Sequence, residues 1–251
     1  MKLRCNHIVV TGGGGGIGSA IAARLIEGGA TVVIAGLNME KLCAVQEKIA
    51  SDRLYCMEWD VTDTEHAREN LLKAADLMGG FDGLVNNAGL GGNQAMGRGY
   101  EPWDITPAEW DRMTAVNLKA VFFNMRDAVD LMRENGTRGN ILNIASNAAC
   151  MDIIGSYSAS KLDVLKMTSS FGRRFGRDGI IINGIAPGAT FTPMISDYAK
   201  AVDQPYPRHA IGRFIRPEEI AELAHYLMSD YGEIICGHTV VADGGDTARR
   251  D

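Results

Sequence analysis

The 251-residue chain has no run of about 18 apolar residues, so no membrane-spanning helix and no membrane partner are expected. Its start, MKLRCNHIVVTGG, holds only a short apolar stretch before its glycines and does not read as a signal peptide. Cysteine is scarce: Cys5, Cys43, Cys56, Cys150 and Cys236 are odd in number, scattered, and lack a C-x-x-C spacing. Reduced thiols in a cytoplasmic protein are the expectation. Basic residues are outnumbered, 25 against 31 acidic ones, for a net charge of −6. That balance argues against a nucleic-acid partner, which would require a clustered basic face. No Pro- or Ser-rich linker and no fixed-period repeat divides the chain, so one domain over residues 1–251 is expected. A hydrophobic share of 46% is enough for a core and too much for disorder. No metal site is expected.

Glycine, in contrast, is abundant: 30 residues, five of them consecutive at Gly12 to Gly16. Glycines punctuate the ends of apolar runs, where turns need unusual backbone angles or close approach. The runs alternate in type. His7–Thr11, Thr31–Ala35, Leu54–Trp59, Phe81–Val85, Asn140–Ala145, Ile180–Ile185 and His238–Ala242 are short, apolar and β-branched, as buried strands are. Between them, helical spacing predicts helices after the first glycines, over 39–50, 63–78, about 107–134, 156–175 and 218–228. Such alternation implies right-handed βαβ units: an α/β fold with a doubly wound parallel sheet of about seven strands and helices on both faces. Two segments, about 90–105 and 192–216, are too long for simple connections. They follow strands, where an open α/β sheet places its ligand crevice, so they are expected to be substrate loops.

Thr11–Gly18 (TGGGGGIG) follows the first strand and opens the first helix. Glycines there let backbone approach a pyrophosphate, and the helix N-terminus supplies N–H groups and partial positive charge. Both G-x-G-x-x-G (Gly13, Gly15, Gly18) and T-G-x-x-x-G-I-G fit. Asp60-Val61 follows the third strand, where an adenine would be met, and Asn86-Asn87-Ala88-Gly89 follows the fourth. Asn87 reads equally as an Asx-turn ending a strand. Tyr157 and Lys161, at i and i+4, share one face of one helix, and Ser146 ends the strand before it.

Together these motifs resemble the short-chain dehydrogenase/reductase family over nearly the whole chain, from Thr11 to Gly245, with Asn117 in VNLKAVFF, Pro187-Gly188, Thr192 and Asp243-Gly244-Gly245 completing the pattern. The resemblance implies a Rossmann fold and hydride transfer between a nicotinamide and a ketone or secondary alcohol. It implies Asn117, Ser146, Tyr157 and Lys161 as the catalytic set. Tyr157 would carry the proton, Ser146 would hold the substrate oxygen, and Asn117 would hold a water linking Lys161 to solvent. A free tyrosine titrates near ~10, so the Lys161 ammonium is expected to lower the Tyr157 pKa. The coenzyme would meet Gly12, Gly16, Ile17, Gly18, Leu37, Asp60, Val61, Asn87, Gly89, Tyr157, Lys161, Pro187, Thr190 and Thr192. Homotetramers or homodimers are implied, through the helices at about 107–134 and 157–176 and the last strand.

The chain also departs from the family pattern. Ser146 and Tyr157 are 11 apart, closer than usual, and Gly89–Trp110 is longer. The position where an aspartate would bond the ribose diol and select NAD is Gly36. The arginine place of NADP-type members is Leu37, and only Lys41, beside Glu40, offers a nearby cation. The coenzyme is therefore NAD(H) or NADP(H), with the balance toward NAD(H). Cys150–Ile154, Phe191, Met194, Ile195, Tyr198 and Met96 suggest an apolar pocket, although Ile153, Ile154 and Met194 would equally suit a core. Arg208, His209, Arg213 and Arg216 read as a solvated basic face. Carrier-protein-bound 3-oxoacyl reduction, with Arg173 and Arg174 as anchors, is the alternative, and sugar or polyol oxidation comes after it. A non-catalytic dinucleotide-binding scaffold is the alternative outside enzymology.

Overall fold

The β-branched runs assemble in the order β3-β2-β1-β4-β5-β6-β7, all parallel, in a computed structural model that describes residues 1–91, 102–192, 194 and 205–248. The strands are β1 (His7–Thr11), β2 (Thr31–Gly36), β3 (Leu54–Glu58), β4 (Gly83–Asn86), β5 (Asn140–Ile144), β6 (Ile181–Pro187) and β7 (Thr239–Ala242). The helices are α1 (Gly16–Glu27), α2 (Met39–Ile49), α3 (Ala67–Met78), α4 (Pro107–Thr114), α5 (Ala120–Glu134), α6 (Ser156–Phe175) and α7 (Pro217–Leu227).

Side-chain alternation along each strand sorts the core into two layers. Val9, Val33, Ala35 and Ile141 pack with Leu71 of α3, Met125 and Met132 of α5 and Val164 of α6. Ile8, Val10, Val32, Ile34 and Leu142 pack on the opposite face with Ile21 and Leu25 of α1, Leu42 of α2 and Ala224 of α7. The order in which strands are added reverses between β1 and β4, and the strand ends there open the crevice of a doubly wound fold.

Three elements differ from their sequence expectation. The helix expected from residue 63 starts at Ala67, because Asp60 and Asp63 cap local turns instead. Asp60 accepts from the Thr62 N–H and hydroxyl (2.9 and 2.7 Å), and Asp63 bonds His66 Nδ1 at 2.9 Å. The strand expected from Phe81 begins at Gly83. The helix expected over 107–134 is interrupted by a π-helical turn over Ala115–Lys119, centred on Asn117. Its start follows sequence rules closely: Thr106 and Glu109 form a reciprocal capping box ahead of Pro107.

Candidate active site

At the end of β1 the backbone itself makes the floor. Gly12 has φ +66°, and a Cβ there would lie 2.8 Å from Ala88 Cα. A Cβ on Gly18 would collide with the Gly12 carbonyl and lie 2.5 Å from Asn87 Nδ2. Asn87 binds this loop to β4: its Nδ2 donates to the Thr11 and Gly12 carbonyls at 3.0 Å each, and its own N–H donates to Thr11 Oγ1 at 3.1 Å. The Asx-turn alternative is thus replaced by a clamp on the glycine loop. α1 opens with no side-chain cap and no acidic residue in its first turn. Gly16, Ile17 and Gly18 therefore present N–H groups and a helix-dipole positive end, which suits a pyrophosphate. A cradle that a Cβ on Gly12, Gly13 or Gly18 would fill and an uncapped helix start together fit a dinucleotide.

Leu37 lies beyond β2 and is 68% exposed. Asp60 is exposed and Val61 buried just beyond β3. Pro187 ends β6 in the core, and Thr190, also buried, bridges to Ile215. Thr192 is half-buried beyond it. The expected substrate loops lie mainly outside the described residues, as do Met96, Ile195 and Tyr198. Cys150 and Asp152 are exposed, Ile153 and Ile154 are 43% and 67% exposed, and Met194 is 43% exposed. Ile153, Ile154 and Met194 are therefore rim residues and not core.

The catalytic candidates come together beyond β5. Ser146 lies two residues past that strand and caps the short 3₁₀ turn Asn147–Cys150, accepting from the Ala148 N–H at 3.2 Å. Tyr157 and Lys161 lie one turn apart at the start of α6. Burial raises the Tyr157 pKa, and a hydrogen bond from Ser146 pulls it back down. Lys161 is 4% exposed, donates to the Ile144 carbonyl at 3.0 Å, and is pushed down to about 8 by burial. Within the folded chain the expected order is thus reversed. Burial of the charged form is the largest cause of both shifts, and Ser146 is the group that offsets part of the rise at Tyr157.

Asn117 is fully buried, and both ends of its amide are committed. Nδ2 donates to the Leu90 carbonyl (2.9 Å) and Oδ1 accepts the Leu90 N–H (2.8 Å). This side chain clasps the backbone beyond β4, and the π turn is the local helix deformation at that clasp. Gly89 fits between them: a Cβ there would lie 3.4 Å from Asn117 Oδ1 and 3.5 Å from Lys161 Nζ.

Sequence reasoning missed a chain of buried amides under the site. Asn124 donates to Asn86, Asn86 to Asn143, and Asn143 to Thr168, at 3.2, 2.9 and 2.9 Å. Asparagines at strand and helix positions that otherwise read as core were the available signal. The expected solvated basic face holds for Arg208 and Arg216, which are exposed, and fails for His209. His209 is 2% exposed and its Nδ1 donates to the Arg213 carbonyl (2.8 Å), Arg213 pairs with Glu219 (2.7 Å), and Arg208 pairs with Asp246 (3.4 Å).

Residues 12–247 match the family model described as enoyl-(acyl carrier protein) reductase. The levodione reductase of Leifsonia aquatica is 32% identical, over 96% of this chain and 94% of that protein. A short-chain type dehydrogenase/reductase from Mycobacterium marinum superposes with a TM-score of 0.88 at 29% identity, over 99% of this chain and 98% of that one. A single-residue variant of actinorhodin polyketide ketoreductase, solved with NADPH, superposes at 0.86 with 28% identity, over 99% of this chain and 100% of that one. The chain belongs to the short-chain dehydrogenase/reductase family. It is an NAD(P)-dependent oxidoreductase of the alcohol/carbonyl pair, which sets the scaffold alternative aside.

Proposed function

We propose that this enzyme interconverts an apolar ketone and its secondary alcohol with NAD(H), using Tyr157 as the proton carrier. The bound nicotinamide supplies or takes up the hydride. The observation that carries the assignment is the joint placement of Ser146, Tyr157 and Lys161 beyond the end of β5. Tyr157 donates its proton to the carbonyl oxygen in reduction and accepts it in oxidation. Ser146 accepts the Ala148 N–H through its oxygen and can turn its one hydroxyl hydrogen toward the same substrate oxygen. Lys161 presents its remaining N–H bonds to the nicotinamide ribose. Asn117 acts as a positioning residue: through Leu90 it fixes the backbone beside Gly89 and Lys161.

Gly12, Gly16, Ile17 and Gly18 hold the pyrophosphate, with Asn87 clamping their loop. Leu37, Asp60 and Val61 flank the adenosine. Gly89, Pro187, Thr190 and Thr192 flank the nicotinamide ribose and ring. Neither Gly36 nor Leu37 offers a cation to a 2′-phosphate, which supports NAD(H). Exposed Ile153, Ile154 and Met194 support an apolar substrate, in keeping with the likeness to a levodione reductase. Free thiols among the described residues support a cytoplasmic enzyme. Exposed Phe122, packed edge-on against Phe171 at 5.7 Å, supports a homodimer or homotetramer built on α5 and α6.

The test is Tyr157→Phe, which keeps the ring and removes the proton. Turnover of a ketone panel with NADH should fall by about 10²–10⁴-fold while NADH still binds. Near-normal turnover in the folded variant would remove Tyr157 from this role. One observation favours a second substrate class: Ser170, Arg173, Arg174 and Arg177 line an open cleft at the end of α6, and an acidic carrier protein would suit it. Comparing a 3-oxoacyl thioester on carrier protein with its coenzyme A equivalent decides between them.

A further inference from the structure

We propose that Glu58, at the end of β3, accepts the hydrogen bonds of the coenzyme's adenosine ribose hydroxyls, replacing from the neighbouring strand the acid missing at Gly36. The proposal rests on the NAD(H) assignment above.

The register is the first argument. Gly36 and Glu58 are Cα partners in the parallel β2–β3 pair, and the Trp59 N–H donates to the Gly36 carbonyl at 3.1 Å. Partnered residues of adjacent parallel strands point to the same face, with strands about 4.8 Å apart. That face is fixed by the core: Val32 and Ile34 on β2, and Leu54 and Cys56 on β3, all pack in the layer of α1 and α2. Glu58 therefore stands beside the empty space above Gly36, on the side where the glycine loop enters α1. A carboxyl on two methylenes reaches across one strand spacing.

Space and charge agree with this. A Cβ on Gly36 would meet nothing closer than Leu42 Cδ2 at 3.9 Å, so that space is open to a ribose. Glu58 is exposed, and among the described residues its carboxylate makes no hydrogen bond or ion pair, so both oxygens are available. Asp60 is less suited, since one of its oxygens already holds Thr62. The competing residue is Lys41, the cation a 2′-phosphate would seek. Its Cβ lies 3.3 Å from where a Gly14 Cβ would be, beside the pyrophosphate loop, and no atom of Lys41 comes within 4 Å of a Cβ on Gly36. A carboxylate beside the 2′ position accepts from a diol and repels a phosphate.

The experiment measures dissociation constants of NADH and NADPH by quenching of protein fluorescence, independently of turnover. It compares wild type, Glu58→Gln, and Gly36→Asp/Glu58→Gln. The Gly36 site has the room for a side chain and carries no positive φ, so the aspartate moves the acid from β3 to β2 without strain. Wild type should prefer NADH. Glu58→Gln should weaken NADH binding by about tenfold, the loss of a charge-assisted hydrogen bond, and leave NADPH unchanged or tighter. The double variant should recover NADH affinity. Wild type preferring NADPH would overturn the NAD(H) assignment and point to Lys41. Wild type preferring NADH with an unaltered Glu58→Gln constant would overturn the role of Glu58 alone. So would equal weakening of both coenzymes, or a double variant that stays weak.

Discussion

The glycine loop and the catalytic wall meet at one edge of the same sheet, yet they are built by opposite means. The loop works through backbone: its groups come from Gly12 to Gly18, and side chains at Gly12 and Gly18 are excluded by Ala88, Asn87 and the loop's own carbonyl. The wall works through side chains that are expensive to bury, above all Lys161 at 4% exposure. The loop therefore has little chemistry to tune and no room to change. The wall carries a burial cost at Lys161 that a change of side chain would relieve.

Lys161→Met breaks the comparison most sharply. The ordinary lysine pKa of 10.5 falls to about 8 on folding. The unfolded chain then binds more protons than the native one between these values, so stability rises as pH rises through that window. At neutral pH the buried ammonium costs about 3 kcal/mol, less roughly 1 for its bond to Ile144. The methionine variant should lose turnover by about 10²–10⁴-fold yet melt higher than wild type at pH 7. That advantage should fade toward pH 10.5, as differential scanning calorimetry at the two pH values would register. Equal melting temperatures at pH 7 would mean that Lys161 is not strained by its burial.

Gly18→Ala tests the loop. The added methyl meets the Gly12 carbonyl and the Asn87 amide, both fixed. Overpacking of about 1–3 kcal/mol and a loss of NADH affinity should appear together, in denaturant melts and in fluorescence titration. Loss of affinity without loss of stability would locate the damage in the ligand and not in the Asn87 clamp.

The smallest effect sharpens the contrast from outside both regions. Thr106→Ala removes the capping box ahead of α4 and should cost about 1 kcal/mol, with NADH affinity unaltered. A changed affinity would show that α4 transmits strain to Asn117 through the turn it leads into.

Much of this was legible in the chain because the signals are local. Seven short apolar runs became seven strands, and an i, i+4 Tyr–Lys pair stayed on one helix face. What was not legible depends on partners far along the chain. Asn117 finds Leu90 across 27 residues, and the π turn it centres leaves the apolar pattern of 107–134 looking like one continuous helix. The order of the two pKa shifts depends on burial depth, which motif spacing does not encode. The Gly36–Glu58 pairing depends on strand register, set by the whole β2–β3 ladder and not by either residue.

The π turn at Ala115–Lys119 also bears on how this sequence can vary in length. A five-residue turn holds one residue more than the helix around it needs, and each residue of an α-helix turns the chain by about 100°. Deleting one residue there would let α4 and α5 join as regular helix, but it would rotate one against the other by about that angle. Met113 faces the core before the turn, and Val121 and Met125 face it after. The surplus residue is what lets both sides be in phase, so a one-residue gap in this otherwise helical stretch would re-aim an entire helix face instead of trimming a loop.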